Sequence, residues 1–294
     1  MRVAIASGKG GTGKTTLATN LAALLAGRGV AVRLLDCDVE EPDCHLFLHS
    51  RVERRVPVNV LVPVIDEDRC TLCGVCAQVC AFKAITVIGS TVLVFPELCH
   101  SCGACTLLCP ADAIREEGRA TGEIVYGTVA LEGRRQFPLI TGRLAVGEAK
   151  PVPTIRATMA AAEAGGGDVV VGDAPPGTSC PVIESVRGAE LVVLVTEPTP
   201  FGLHDLQLAL AMVRALDLPC VVVVNRADLG NDRVQRFCAA AGVKIVLELP
   251  FERRIAEAYA RGELLVDAVE GFEEILGATW ERIVVAAHTA ELSL

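Results

Sequence analysis

The chain has 294 residues, of which 51% are hydrophobic and only 4% aromatic, and a formal net charge of −9. This length and apolar share allow one large or two ordinary domains around a sizeable core. The acidic balance argues against nucleic-acid partners, which need clustered Lys and Arg, and no apolar run reaches the ~18 residues of a membrane span. Abundant Ala, Val, Leu and Gly suit a parallel sheet of aliphatic strands covered by helices.

Val3 to Ser7 reads as a short strand and is followed by Gly8 to Thr15, G-K-G-G-T-G-K-T, which satisfies G-x4-G-K-[ST]. The backbone of Gly8, Gly10, Gly11, Thr12 and Gly13 can curl around phosphates. Lys14 reaches the outer phosphates, and Thr15, followed by Thr16, offers a hydroxyl to Mg²⁺. Thr15 to Arg28 is predicted as a helix closed by Gly29. A strand from Val30 to Leu35 then ends in Asp36-Cys37-Asp38, and a polar, Pro-containing stretch runs from Glu40 to Pro63.

Next comes C-x2-C-x2-C-x3-C, written twice: Cys70, Cys73, Cys76, Cys80 and, 29 residues on, Cys99, Cys102, Cys105, Cys109. Ala84-Ile85 recurs as Ala113-Ile114, so the segment is an internal duplication. In such runs three closely spaced thiolates wrap one iron–sulfur cluster and the fourth ligates the other. One 4Fe-4S cluster is therefore expected at Cys70, Cys73, Cys76 and Cys109, and a second at Cys99, Cys102, Cys105 and Cys80. The rivals are a zinc site, which favours two C-x2-C pairs across a longer spacer, and a disulfide framework. The expected organisation is residues 1–63 and 120–294 as one nucleotide-binding domain, with residues 64–119 inserted.

After the insert, Gly122 to Gly147 suggests a β-hairpin and Ile155 to Glu163 a helix. Strands are predicted at Asp168–Gly172, Leu191–Thr196, Cys220–Val224 and Lys244–Glu248, separated by helical stretches. This is the rhythm of an α/β, doubly wound, mostly parallel sheet. Sites in such sheets lie at the carboxyl ends of strands, where Ser7, Asp36, Asp173, Glu197 and Asn225 fall, so these residues should converge. The C-terminal segment 272–294 carries Glu273, Glu274 and Glu281 and reads as core packing, not as a lipid-binding helix.

The cysteine segment resembles bacterial two-cluster ferredoxins, including Pro110 after the fourth cysteine of the second run. Ala81 stands at that position in the first. Lys9, within K-G-G-T-G-K-T-T, resembles the deviant P-loop of the MinD/ParA class, which includes nitrogenase iron protein and Mrp-type cluster carriers. That resemblance implies an ATP-dependent homodimer in which Lys9 reaches the partner's phosphates. It implies a Mg²⁺-shell role for Asp36, activation of the attacking water by Asp38, and a switch segment at Asp173-Ala-Pro-Pro-Gly177. There Asp173 serves Mg²⁺ and the Gly177 N–H serves the γ-phosphate. Asn225, Arg226, Pro250 and Phe251 resemble the family's adenine contacts. The whole chain resembles MinD-superfamily ATPases with an inserted ferredoxin domain.

Three functions follow as expectations. The first is ATP hydrolysis coupled to electron transfer toward an unidentified redox partner. The second is a cluster or metal-cofactor carrier serving an acceptor protein, for which Cys180 is the candidate extra ligand. The third is a spatial organiser of the MinD or ParA kind. A P-loop and ferredoxin spacing together imply a reducing, cytoplasmic setting. Cys220 and Cys238 read as structural, Cys37 and Cys44 mark the first switch segment around Asp36-Cys37-Asp38 as ligand or packing residues, and His45 and His49, four apart, could bind metal or stand idle in a loop.

Overall fold

The computed structural model describes residues 1–163 and 167–291. Among the described residues the main sheet has nine strands. In chain order its strands are β1 (Arg2–Ala6), β2 (Val32–Asp36), β3 (Arg51–Ile65), β6 (Ile114–Val129), β7 (Phe137–Leu144), β8 (Val169–Asp173), β9 (Leu191–Thr196), β10 (Cys220–Val224) and β11 (Ile245–Glu248). The separate pair β4 (Ile85–Ile88) and β5 (Thr91–Val94) lies between β3 and β6 in sequence. The spatial order is β11-β10-β9-β1-β8-β2-β7-β6-β3. All neighbours from β11 through β7 are parallel, whereas β7–β6 and β6–β3 are antiparallel.

The aliphatic runs form the central strands because both faces are covered. β9 is buried throughout, as are Val221 to Val224 of β10. On one face α1 (Lys14–Gly27) and α11 (Phe272–Glu291) pack over Val3, Ile5, Leu34, Val171 and Val193. Residues 292–294 of the expected core-packing segment lie outside the described residues. On the other face, α6 (Cys180–Val186), α7 (Pro200–Ala215) and α8 (Arg233–Ala241) cover Ala4, Val192, Leu194 and Val222. Each fully buried Val, Leu or Ile there contributes about 1.5–3 kcal/mol. A third cluster forms where α5 (Val152–Glu163) lies on Leu35, Ile124 and Ile140. Cys238 is buried and Cys220 half-buried in the second cluster, as packing residues.

The stretch from Glu40 to Pro63 differs from its sequence expectation. It forms α2 (Cys44–Leu48) and then the fifteen-residue strand β3, paired with β6 from Arg51↔Thr128 to Ile65↔Ile114. β3 is an edge strand with mostly exposed residues over Arg51–Arg55, so its charges face water, and an edge tolerates Pro57 and Pro63. Residues 64 and 119 thus lie inside these two strands. The expected hairpin at Gly122 to Gly147 is the β6–β7 pair, whose first strand starts earlier, at Ile114.

Between β3 and β6 the duplication is visible in the backbone. α3 (Val75–Val79) and α4 (Ala104–Leu107) pack against each other, each preceded by a left-handed residue, Gly74 (φ 77) and Gly103 (φ 71). Positive φ recurs at the same 29-residue offset in Leu72 and Ser101, and in Lys83 and Asp112. No described helix is long and apolar enough to cross a membrane.

Candidate functional site

The carboxyl ends of β1, β2, β8, β9 and β10 converge. Ser7 continues β1, and its hydroxyl donates to the Lys9 carbonyl at 2.5 Å. The loop then runs into α1, where Lys14 is the first helical residue and is 6% exposed. Gly13 enters the helix at φ 101, and a Cβ there would sit 2.8 Å from Asn225 Nδ2. Only glycine meets both demands. Asn225 Nδ2 donates to the Thr12 carbonyl at 2.9 Å, so this residue buttresses the loop from below while also lining the cleft.

The cleft holds about 460 Å³ and is bounded by Gly10, Gly11, Gly13, Lys14, Thr15 and Thr16, with Asp38 on one side and Asn225, Arg226, Pro250 and Phe251 on the other. All four expected adenine-side residues therefore face the same space as the glycine loop. Tyr259, Leu265 and Phe272 extend its apolar wall, and no motif in the sequence marks them.

Asp36 and Asp173 end adjacent parallel strands in register and are both buried. The Thr15 hydroxyl donates to Asp173 Oδ2 at 2.6 Å, and the Cys44 N–H donates to Asp36 Oδ2 at 3.0 Å. The remaining oxygen of each carboxylate, Oδ1, has no hydrogen-bond partner among the described residues. Two buried carboxylates with such oxygens could hold a cation between them. The Cys44 thiol closes the group, with Sγ 3.7 Å from Asp173 Oδ2 and one ligand atom of each residue within 4.8 Å of the others. His45 and His49 are exposed and lie apart from it.

Burial pushes Asp173 up to about 7, against the Thr15 hydroxyl and the Lys14 charge. Burial, then the charge of Asp173, holds Asp36 well above the ordinary carboxylate range. Asp38 is lifted by burial to about 6, with Lys14 pulling the other way.

Two residues named by the resemblance have partners within the single chain. The Gly177 N–H, in a left-handed conformation (φ 102), donates to the Ser7 carbonyl at 3.0 Å, so it is turned toward the end of β1. Lys9 Nζ lies 3.1 Å from Glu197 Oε2 of its own chain, and Arg226 Nη1 lies 2.7 Å from Glu197 Oε1. The strand rhythm places Glu197 at the crevice, but its pairing with Lys9 spans 188 residues and leaves no local sequence signal. Cys180 is the exposed first residue of α6.

The eight cysteines of the duplicated run fall into two groups. Cys70, Cys73, Cys76 and Cys109 line one cavity, with Pro110 and Ile65. Cys80, Cys99, Cys102 and Cys105 line another, with Phe82 and His100, whose rings stack at 3.6 Å. In each group the fourth cysteine of one run joins the first three of the other. Backbone N–H groups of Ala84, Ser101 and Ala113 donate to the sulfurs of Cys80, Cys99 and Cys109 at 3.2–3.3 Å. Among the described residues no three of these sulfurs lie mutually within 4.8 Å. A tetrahedral zinc with ~2.3 Å bonds would draw its four sulfurs to about 3.8 Å.

Comparison with known proteins agrees with the fold and the loop. An uncharacterized protein of Methanocaldococcus jannaschii is 30% identical over 283 residues, covering 96% of each chain. Iron-sulfur cluster carrier proteins of Aquifex aeolicus and Pyrococcus abyssi are 26% and 24% identical; the matches cover 90% and 93% of this chain and 61% and 83% of theirs. Among solved structures, the MinC:MinD cell division complex of Aquifex aeolicus superposes with a TM-score of 0.57 at 18% identity, covering 96% of this chain and 95% of that one. The septum site-determining protein MinD of Pyrococcus horikoshii, complexed with Mg-ADP, gives 0.55 at 18%, covering 95% and 94%. The model of the CobQ/CobB/MinD/ParA nucleotide binding domain matches residues 3–266, and the chain belongs to this family of P-loop ATPases.

Proposed function

We propose that this protein hydrolyses ATP and couples its nucleotide state to electron transfer through two 4Fe-4S clusters. The segment between Ile65 and Ile114, within the expected 64–119, acts as an inserted ferredoxin-like domain in an ATPase formed by the rest of the chain. The observation that carries this reading is the crossed grouping of eight thiols around two cavities, side by side at the end of the β3–β6 hairpin. The N–H···S contacts fit thiolate ligands, because a backbone donor stabilises negative charge on sulfur. When bound, each cluster supplies a one-electron couple.

On the ATP side, the N–H groups of Gly8 to Gly13 hold the phosphates, and Lys14 neutralises charge on the transferring one. Thr15, Asp36 and Asp173 fit Mg²⁺, given two buried carboxylate oxygens without partners. Asp38 opens onto the cleft and accepts a proton from the attacking water. Asn225, Arg226, Pro250 and Phe251 bound the adenine side. Lys9 crosses to a second copy in an ATP-dependent homodimer, and to do so it must leave Glu197.

A second reading, a cluster carrier, is favoured by the carrier relatives and by exposed Cys180 beside the second switch. Four-thiol coordination of both groups favours retention over release. The test is anaerobic electron paramagnetic resonance of dithionite-reduced protein with iron and sulfide quantified, with and without Mg-ATP, in wild type and Lys14→Ala. About eight iron and a reversible signal that responds to Mg-ATP only in wild type support electron transfer. Iron lost to an apo-acceptor on ATP addition supports the carrier.

A further inference from the structure

The loop between β7 and α5, residues 145–151, carries Lys150 near its end. Its ammonium donates to the Glu97 carbonyl at 2.8 Å and to the Cys99 carbonyl at 2.6 Å, at the opening of the second cysteine run. The same loop is fastened to the base of the cysteine segment. Glu148, whose side chain is 5% exposed, pairs with Arg119 of β6 at 2.6 Å, and the Ala145 N–H donates to the Thr121 carbonyl at 3.0 Å.

Both flanks of this loop touch the segments that surround the nucleotide site. Before it, the Leu144 N–H donates to the Val39 carbonyl at 2.8 Å, one residue past Asp38. After it, Met159 of α5 has its sulfur 3.4 Å from the Cys37 thiol, between Asp36 and Asp38. Arg156 of α5 pairs with Glu184 at 2.9 Å, on the helix that starts three residues after Gly177. One continuous piece, residues 144–163, thus contacts both nucleotide-flanking segments and the Cys99 loop.

We propose that Lys150 is the positioning residue through which nucleotide state reaches the second cysteine group, Cys99, Cys102, Cys105 and Cys80, and sets how readily the cluster held there is reduced. The inference rests on the cluster reading above. Reduction adds one electron, supplied by an external donor, and a nearby ammonium favours the more negative state. Both carbonyls that hold Lys150 precede or open the second run, so its charge acts on that group. A shift of Val39 or Cys37 between nucleotide states moves the loop that carries it. By linkage, reduction must in turn alter nucleotide affinity.

The experiment is an anaerobic redox titration of the iron-loaded full chain, followed by electron paramagnetic resonance with and without Mg-ATP. It compares wild type with Lys150→Met, Lys150→Arg and, to identify the second couple, Cys105→Ser. The expected result is that one couple in Lys150→Met, the one missing from Cys105→Ser, is about tenfold harder to reduce, about 59 mV for one electron. That couple responds to Mg-ATP in wild type and Lys150→Arg but not in Lys150→Met, while ATP hydrolysis without reductant is unchanged. Movement of both couples or of neither, or a surviving nucleotide response in Lys150→Met, overturns the proposal. Lys150→Gln repeats the test should the methionine variant load no iron. Wild-type protein that holds no iron would sink the cluster reading itself, a failure seen before any variant is compared.

Discussion

Lys9 is held by Glu197 of its own chain, Nζ to Oε2 at 3.1 Å, on a carboxylate whose other oxygen binds Arg226. A lysine proposed to act on a partner's phosphates is therefore restrained in the single chain, and its release opposes dimerisation. Such a pair contributes about 1 kcal/mol. Each dimer frees two such lysines, so Glu197→Gln is expected to tighten the ATP-dependent dimer about thirtyfold, read by sedimentation across protein concentrations with Mg-ATP. Lys9→Ala should leave a monomer that still binds ATP. An unchanged dimer constant in Glu197→Gln would remove the latch.

Asp38 sits at the cleft with burial lifting it to about 6. Its protonated form cannot accept a proton from water, so hydrolysis should fall as pH drops through about 6 and level off above 7. Asp38→Asn is expected to lower the rate of phosphate release by ~10²-fold or more, with nucleotide affinity within a few-fold of wild type. Lys14→Ala instead loses binding itself. Retention of the pH step in Asp38→Asn would assign that step to another group.

The buried pair Asp36 and Asp173 makes the nucleotide-free site costly. Asp173 titrates near 7 in the fold instead of 3.8. Between those values the unfolded chain releases a proton that the fold retains, so stability falls as pH rises through this window, and the penalty is complete above about 7. Asp173→Asn should therefore raise the melting temperature of metal- and nucleotide-free protein. The gain is small at pH 4 and at most about 7 °C at pH 8, for up to ~4 kcal/mol relieved. A variant less stable than wild type at every pH would contradict this account.

The crossed grouping of thiols has a direct signature. Cys109→Ser should disable the same cluster as Cys73→Ser, although Cys109 belongs to the other run, and Cys80→Ser the same cluster as Cys102→Ser. Each variant should retain about half the iron and one of two resonance signals. Pairing of Cys80 with Cys73 in this assay would show uncrossed ligation.

The central strands were legible because Val and Ile runs buried on both faces leave a continuous apolar signal, as in Leu191–Thr196 and Cys220–Val224, where expectation and structure coincide. β3 was not, because an edge strand with exposed Arg51, Glu53, Arg54 and Arg55 and two prolines looks like a loop in one dimension. The glycine loop, the strand-end carboxylates and the cysteine spacing are local patterns, and the structure brings together the residues that each of them names. Glu197 against Lys9, Cys44 beside Asp173 and Lys150 against Cys99 join residues distant in sequence, with no periodicity to announce them.

The cysteine segment leaves and rejoins the sheet at Ile65 and Ile114, which are directly paired partners at the end of the hairpin. Its two ends are therefore already as close as the ends of a tight turn. An ordinary two-residue β-turn spans the same gap, so the whole duplicated unit hangs from one end of a hairpin and no strand of the sheet depends on it for its pairing. Replacing residues 66–113 with an Asn-Gly turn should therefore leave the β3–β6 pairing intact.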